Sequence, residues 1–149
     1  VLLNGEDVSS EIRTPEIAYY ASRVSAVPEV REFLLNTQRD MAKNGNILMD
    51  GRDIGTVILP DAPVKIFLTA SAESRAERRY KELAEKGQQV TMESVLHDIN
   101  ERDRQDMNRA IAPLRQAEDA VLLDTSALTL EESIASVLRI IREKTEENK

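Results

Sequence analysis

Three short apolar runs constrain this chain more than any other feature: Asn46–Asp50 (NILMD), Val64–Thr69 (VKIFLT) and Ala120–Asp124 (AVLLD). Their apolar residues are consecutive and do not alternate with polar ones. That pattern fits strands covered on both faces, as in parallel sheets. Helical signals fill the intervals. Thr14-Pro15-Glu16 is a helix start, with a capping hydroxyl, proline at the first helical position and then an acid. That helix should run to about Val24. Pro28 restarts a longer one, from about Glu29 to Lys43, in which Val30, Phe33, Leu34, Thr37 and Met41 keep the helical period. Asn44-Gly45 should close it as a C-cap. The charged stretch from Ser71 to Gln116 should be mostly helical, interrupted at Lys86-Gly87-Gln88. Thr129-Leu130-Glu131-Glu132 is a capping box. It opens a last helix with Ile134, Val137, Leu138 and Ile141 on one face, followed by a polar tail. Val1–Leu3 reads as the second half of a β-hairpin, ended by the turn signal Asn4-Gly5.

Buried strands alternating with helices predict an α/β layered fold. Such folds bind ligands at the carboxyl ends of their strands. The segment Asp50-Gly51-Arg52-Asp53 lies at such an end.

Composition narrows the chemistry. The 149 residues suffice for one core of ordinary size. Net charge is −7 and aromatics are 3% with no Trp, which argues against nucleic acid, base-stacking platforms and anionic membranes. There is no Cys, so disulfides, thiolate zinc sites and a Cys nucleophile are excluded. The lone His97 cannot build a multi-histidine metal site and is assigned to an exposed helix face. No apolar run is long enough to span a membrane, and a cytoplasmic setting is expected. Of 20 basic residues 14 are Arg, the side chain suited to gripping phosphate through paired hydrogen bonds, although codon bias would give the same count. The chain opens without Met on what reads as a strand under way, the expectation being a fragment, a processed chain or part of a longer one.

Three constellations carry possible chemistry. In Asp50-Gly51-Arg52-Asp53-Ile54-Gly55-Thr56, an acid directly after a strand can hold water on a magnesium ion. Gly51 permits an unusual backbone beyond it, and Arg52 adds a rigid cation. An ordinary strand-to-loop turn would present the same residues. Arg102, Asp106 and Arg109 fall on one helix face, able to grip phosphate, base edge or ribose hydroxyl, or to form a solvated face. Arg75, Arg78 and Arg79 share a face and repel unless an anion compensates, which a polyphosphate or Glu73, Glu77 and Glu82 could supply. Ser22, Arg23 and Arg31 beside two helix starts add a weaker signal.

In combination these runs resemble the bacterial cytidylate kinase family, within the P-loop nucleoside monophosphate kinases. The resemblance rests on Asp50–Val57, on Pro60–Leu68, on Glu6-Asp7-Val8-Ser9 with Ile12-Arg13-Thr14, and on Glu101-Arg102-Asp103 with Asn108-Arg109-Ala110 and Ala112-Pro113-Leu114. It covers nearly the whole chain. Arg52-Asp53 after Gly51, where adenylate kinases carry Pro-Arg, points to the cytidylate branch.

The resemblance implies a P-loop-type parallel sheet with flanking helices, incomplete here, plus an acceptor-binding insert and a lid. Residues 1–45 would be the CMP-binding insert. Residues 46–149 would be the C-terminal part of the kinase core, with the lid at about 71–109. It further implies that Ser22 and Arg31 contact cytosine, that Arg109 reaches toward the base, and that Arg102 and Asp106 hold the sugar and its phosphate. Arg52 would take the acceptor phosphate. Asp50 would lie near the base and, through water, the magnesium shell. Arg75, Arg78 and Arg79 would face the donor phosphates, and Arg52, Arg78, Arg79 and Arg102 would be catalytic. Substrates would be CMP or dCMP and ATP with Mg²⁺, and the enzyme a monomer. The family's opening strand, P-loop and Ser-Gly-x-x-Tyr-Arg segment have no counterpart in this sequence, and Gly51–Thr56 lacks the P-loop Lys. The chain as it stands is therefore expected to transfer phosphate poorly, the alternative being an inactive CMP-binding fragment.

Overall fold

The computed structural model describes residues 1–147. The chain is mixed α/β and mostly helical, with a small parallel sheet. It divides into two compact units, Val1–Leu48 and Met49–Lys149.

The first unit opens with a hairpin, β1 (Leu2–Leu3) against β2 (Glu6–Asp7). Val1–Leu3 thus runs into this hairpin, and Asn4-Gly5 is its turn, as the sequence signals. Asn4 (φ 53) and Gly5 (φ 89) both take the left-handed backbone that a two-residue hairpin turn needs. A short 3₁₀ turn, Glu11–Arg13, leads to α1 (Pro15–Val24), and α2 follows at Pro28–Lys43. The Thr14 side chain caps α1, accepting from the Ile17 amide. Helix α2 ends where expected but by another device. Gly45 is not left-handed; instead the Asn44 side-chain amide donates to the Asp40 carbonyl at 2.9 Å. None of the described residues in this unit is fully buried, and Phe33 is 79% exposed.

The buried core belongs to the second unit. Strands β3 (Ile66–Thr69) and β4 (Val121–Asp124) pair in parallel, with Ile66 opposite Val121 and Thr69 opposite Asp124. Helices α3 (Ala72–Glu85) and α4 (Met92–Asn108) lie between them in sequence, and α5 (Leu130–Glu147) closes the order. Ala76, Leu83 and Val95 form the buried seam between α3 and α4, flanked by Val90, Met92, Leu96 and Ile99. Gly87 (φ 73) turns the chain between these helices, where the sequence predicted the break. Thr129 and Glu132 form the expected box, Glu132 accepting from the Thr129 amide and Thr129 from the Glu132 amide. The polar tail expected after Ile141 continues α5 to Glu147, and residues 148–149 lie outside the described residues.

The first of the three expected strands is absent. Asn46–Asp50 is irregular, not a strand. Apolar character alone cannot make a strand; its backbone groups need a partner ladder, and the described strands pair only with each other. The unit boundary also falls inside this run, and Leu48 is 89% exposed. The charged stretch from Ser71 to Gln116 is mostly helical as expected, in α3 and α4, with helix ending at Asn108 ahead of the left-handed Ala112 (φ 49) and Pro113.

Candidate functional site

The segment after Asp50 folds back as a single wide turn. Residues Ile54–Ile58 form a π-helix whose start is the Asp53 carbonyl, which accepts from the amides of Val57 (2.9 Å) and Ile58 (3.3 Å). Such turns are uncommon and often accompany function. Gly51 serves it by its size and not by a left-handed backbone. A Cβ there would stand 2.9 Å from two side-chain carbons of Ile54.

This turn leaves Arg52 and Asp53 as neighbours that grip one end of α4. The Arg52 Nε donates to Asp106 Oδ2 at 3.1 Å. Arg102 Nε stands 4.0 Å from the same oxygen, one helical turn back. Asp106 is buried, while the side chains of Arg52 and Arg102 remain 40% and 51% exposed. One carboxylate therefore anchors two cations whose side chains remain partly open to water. Beside it, Arg109 Nη2 donates to Asp53 Oδ1 at 3.3 Å, and both side chains are nearly enclosed. Arg109 Nε donates to the Ala112 carbonyl at 2.5 Å, and the Leu114 amide donates to the Asp106 carbonyl at 2.8 Å. Arg102 and Asp106 lie one helical turn apart as the spacing predicts, while Arg109 falls just past the end of α4 in extended backbone and Arg52 joins them from the turn. Three cations against two acids leave a local excess of positive charge. Asp50 is exposed at the start of the segment. Among the described residues no group of three or more His, Cys, Asp or Glu could hold a metal ion.

The three arginines of α3 diverge. Arg75 makes a paired contact with Asp103, at 3.0 and 2.5 Å, and its Nε donates to the Ala70 carbonyl. The Asp103 hydrogen bond holds this guanidinium further above its usual range. Arg78 reaches the β4–α5 loop, donating to the Thr125 and Leu128 carbonyls and to Thr125 Oγ1. Arg79 turns along its own helix to Glu82 at 2.7 Å. Lys86 and then Arg79 pull the Glu82 carboxyl down to about 2. Of the acids the sequence offered, Glu82 pairs with this cluster through Arg79, whereas Arg75 takes Asp103 and Arg78 takes backbone carbonyls.

In the first unit, Ser22 and Arg31 are linked through Ser25 at the corner between α1 and α2. Ser25 Oγ donates to the Ser22 carbonyl at 2.8 Å, and Arg31 Nη1 donates to the Ser25 carbonyl at 3.0 Å. His97 is exposed, as expected, beside a shallow depression at the opposite end of α4 from the arginine cluster.

Sequence reasoning missed Asp53, Asp103 and Thr125 as partners of the arginines. Charge counting could have found the two acids, since each enclosed guanidinium requires a counter-charge. Nothing local marks Thr125, which is buried because its hydroxyl donates to the Thr69 carbonyl at 3.0 Å.

These features define an α/β protein in which a sheet-side turn and a helix end are joined by paired arginines and aspartates. The chain belongs to the cytidylate kinase family, whose family model matches residues 1–143. It is 56% identical over 142 residues to a cytidylate kinase of Thermosipho melanesiensis, covering 95% of this chain and 65% of that protein. A cytidylate kinase of Carboxydothermus hydrogenoformans is 51% identical over 146 residues, covering 98% and 66%. One from Enterobacter sp. (strain 638) is 54% identical over 144 residues, covering 97% and 63%. The chain thus spans slightly less than two thirds of the length of these curated relatives.

Proposed function

We propose that this protein carries the acceptor side of a cytidylate kinase site, in which the γ-phosphoryl group of ATP passes to the 5′-phosphate of CMP or dCMP. The observation that carries this reading is the pair Arg52 and Arg102 held on the one buried carboxylate of Asp106, beside the enclosed Asp53–Arg109 pair. A fixed counter-ion orients both guanidiniums before ligand arrives, so their free donors meet an acceptor phosphate with little reorganisation.

The reaction breaks the bond between the γ-phosphorus and its bridging oxygen and forms one to an acceptor phosphate oxygen. That oxygen is already anionic, so no strong base is needed; positioning and charge neutralisation carry the catalysis. Arg52 would bind the acceptor phosphate. Arg102 and Asp106 would hold the sugar and its phosphate. Arg109 would reach the base, with Ser22 and Arg31 contributing from residues 1–45. Arg75, Arg78 and Arg79 would serve the donor phosphates, the last after leaving Glu82. The lone exposed Asp50 suits a magnesium ion held mainly by phosphate oxygens and water, which would neutralise charge on the transferred group. The P-loop-type core, the division at residue 45, a lid at about 71–109, and a monomeric, cytoplasmic enzyme belong to the same proposal.

The test is calorimetric titration with CMP and with AMP, followed by ATP-dependent conversion of CMP to CDP. Saturable binding that favours CMP is expected. Equal binding of AMP, or no binding of CMP, overturns the reading.

A further inference from the structure

Arg109 leaves α4 in an extended conformation (ψ 141), and three residues later Ala112 takes φ 49. Among the described residues only Asn4 shares a positive φ without being glycine, and Asn4 sits in the hairpin turn that demands it. Ala112 has no such turn and no polar side chain to ease the conformation, which residues with a Cβ adopt rarely. Its consequence is local and specific: the Ala112 carbonyl accepts from Arg109 Nε. Pro113 follows, and a residue before proline is disfavoured in the right-handed region. Ala112 is therefore left with the left-handed backbone or an extended one that would carry its carbonyl elsewhere.

The guanidinium of Arg109 is thus fixed on two edges, Nε by Ala112 and Nη2 by Asp53. Among the described residues Nη1 makes no hydrogen bond, yet no fully buried side-chain nitrogen lacks one, so Nη1 keeps some access to solvent. We propose that Ala112 is a positioning residue for nucleotide recognition: its left-handed backbone locks the plane of Arg109 so that Nη1 is presented to an acceptor atom of the pyrimidine base. This rests on the reading of Arg109 given under the proposed function.

The test is CMP affinity by calorimetry in a two-by-two cycle, with melting temperature recorded for every variant. Ala112→Val, β-branched and poorly suited to the left-handed region, should weaken CMP about tenfold, the order expected for one mis-set charged hydrogen bond. Ala112→Asn, which tolerates that region, should stay within about twofold. In an Arg109→Lys background, which keeps a cation for Asp53 but has no Nε donor, Ala112→Val should cost less than about twofold. If Ala112→Val fails to fold, Pro113→Ala, which reopens the right-handed region, carries the same prediction. Equal losses for Val and Asn, an equal loss in both backgrounds, or no loss with Val overturns the role of Ala112. If Arg109→Lys itself leaves CMP affinity unchanged, Arg109 is not in the site and both readings fall. If Arg109→Lys weakens CMP while Ala112→Val does not, only the role of Ala112 falls.

Discussion

Arg109 and Asp53, 56 residues apart in sequence, form an ion pair at 3.3 Å in which the side chains are only 12% and 8% exposed. Together with Arg52 and Asp106 it fastens the turn after Asp50 to the end of α4 by two adjacent crosslinks. An enclosed pair is not a strong source of stability by itself, but half of one is costly. Asp53→Ala should therefore destabilise the second unit by about 3–5 kcal/mol, read as a lower urea midpoint. Removing both partners, with Asp53→Ala and Arg109→Met, should cost less than the sum of the two single changes. Additive losses would show that the pair does not form in solution.

Arg78 separates the framework from donor chemistry. Its guanidinium is spent on the Thr125 and Leu128 carbonyls, whereas none of its contacts reaches the Arg52–Arg109 cluster. Arg78→Ala should leave CMP affinity within about twofold, because charge contacts this remote add nearly independently. In an active enzyme it should cut turnover more than CMP affinity. Equal losses in both would move Arg78 to the acceptor side.

Packing between α3 and α4 rests on few residues. Leu83 is 6% exposed and lies against Ala76 and Val95. Leu83→Ala should cost about 2–5 kcal/mol by chemical denaturation, from lost burial and the cavity left behind. A loss under about 1 kcal/mol would mean that the helices collapse onto the space or are not packed there.

Glu82 offers a pH test. Its carboxyl is held near 2, below the ordinary 4.5, first by the Lys86 hydrogen bond and then by Arg79. A depressed folded-state value means the contribution is present above the unfolded value and is lost as pH falls through the folded one. Carboxyl NMR should place the Glu82 midpoint near 2, and Lys86→Met should raise it. A native midpoint near 4.5 would show that neither cation holds it.

Much of the fold was legible because its signals are local. The Thr14 and Thr129 caps, the break at Gly87 and the strands around Ile66 and Val121 all follow from neighbouring residues. The run at Asn46–Asp50 was misread because a strand depends on a ladder partner, which no window of five residues reports. Within the site, spacing grouped Arg102, Asp106 and Arg109, yet the partners Asp53 and Asp103 come from tertiary pairing. Arg75, Arg78 and Arg79 share a helix face and still diverge, since long side chains follow the nearest carboxylate or carbonyl and not the helix spacing.

The central claim is that Arg52, Arg102 and Arg109 together receive a cytidine monophosphate. Arginine side-chain NMR during titration with CMP, with AMP as the control, tests it most directly. The account predicts that the side-chain N–H signals of all three arginines shift and saturate with CMP at one common affinity, and respond weakly to AMP. Unmoved signals at all three under saturating CMP would contradict it.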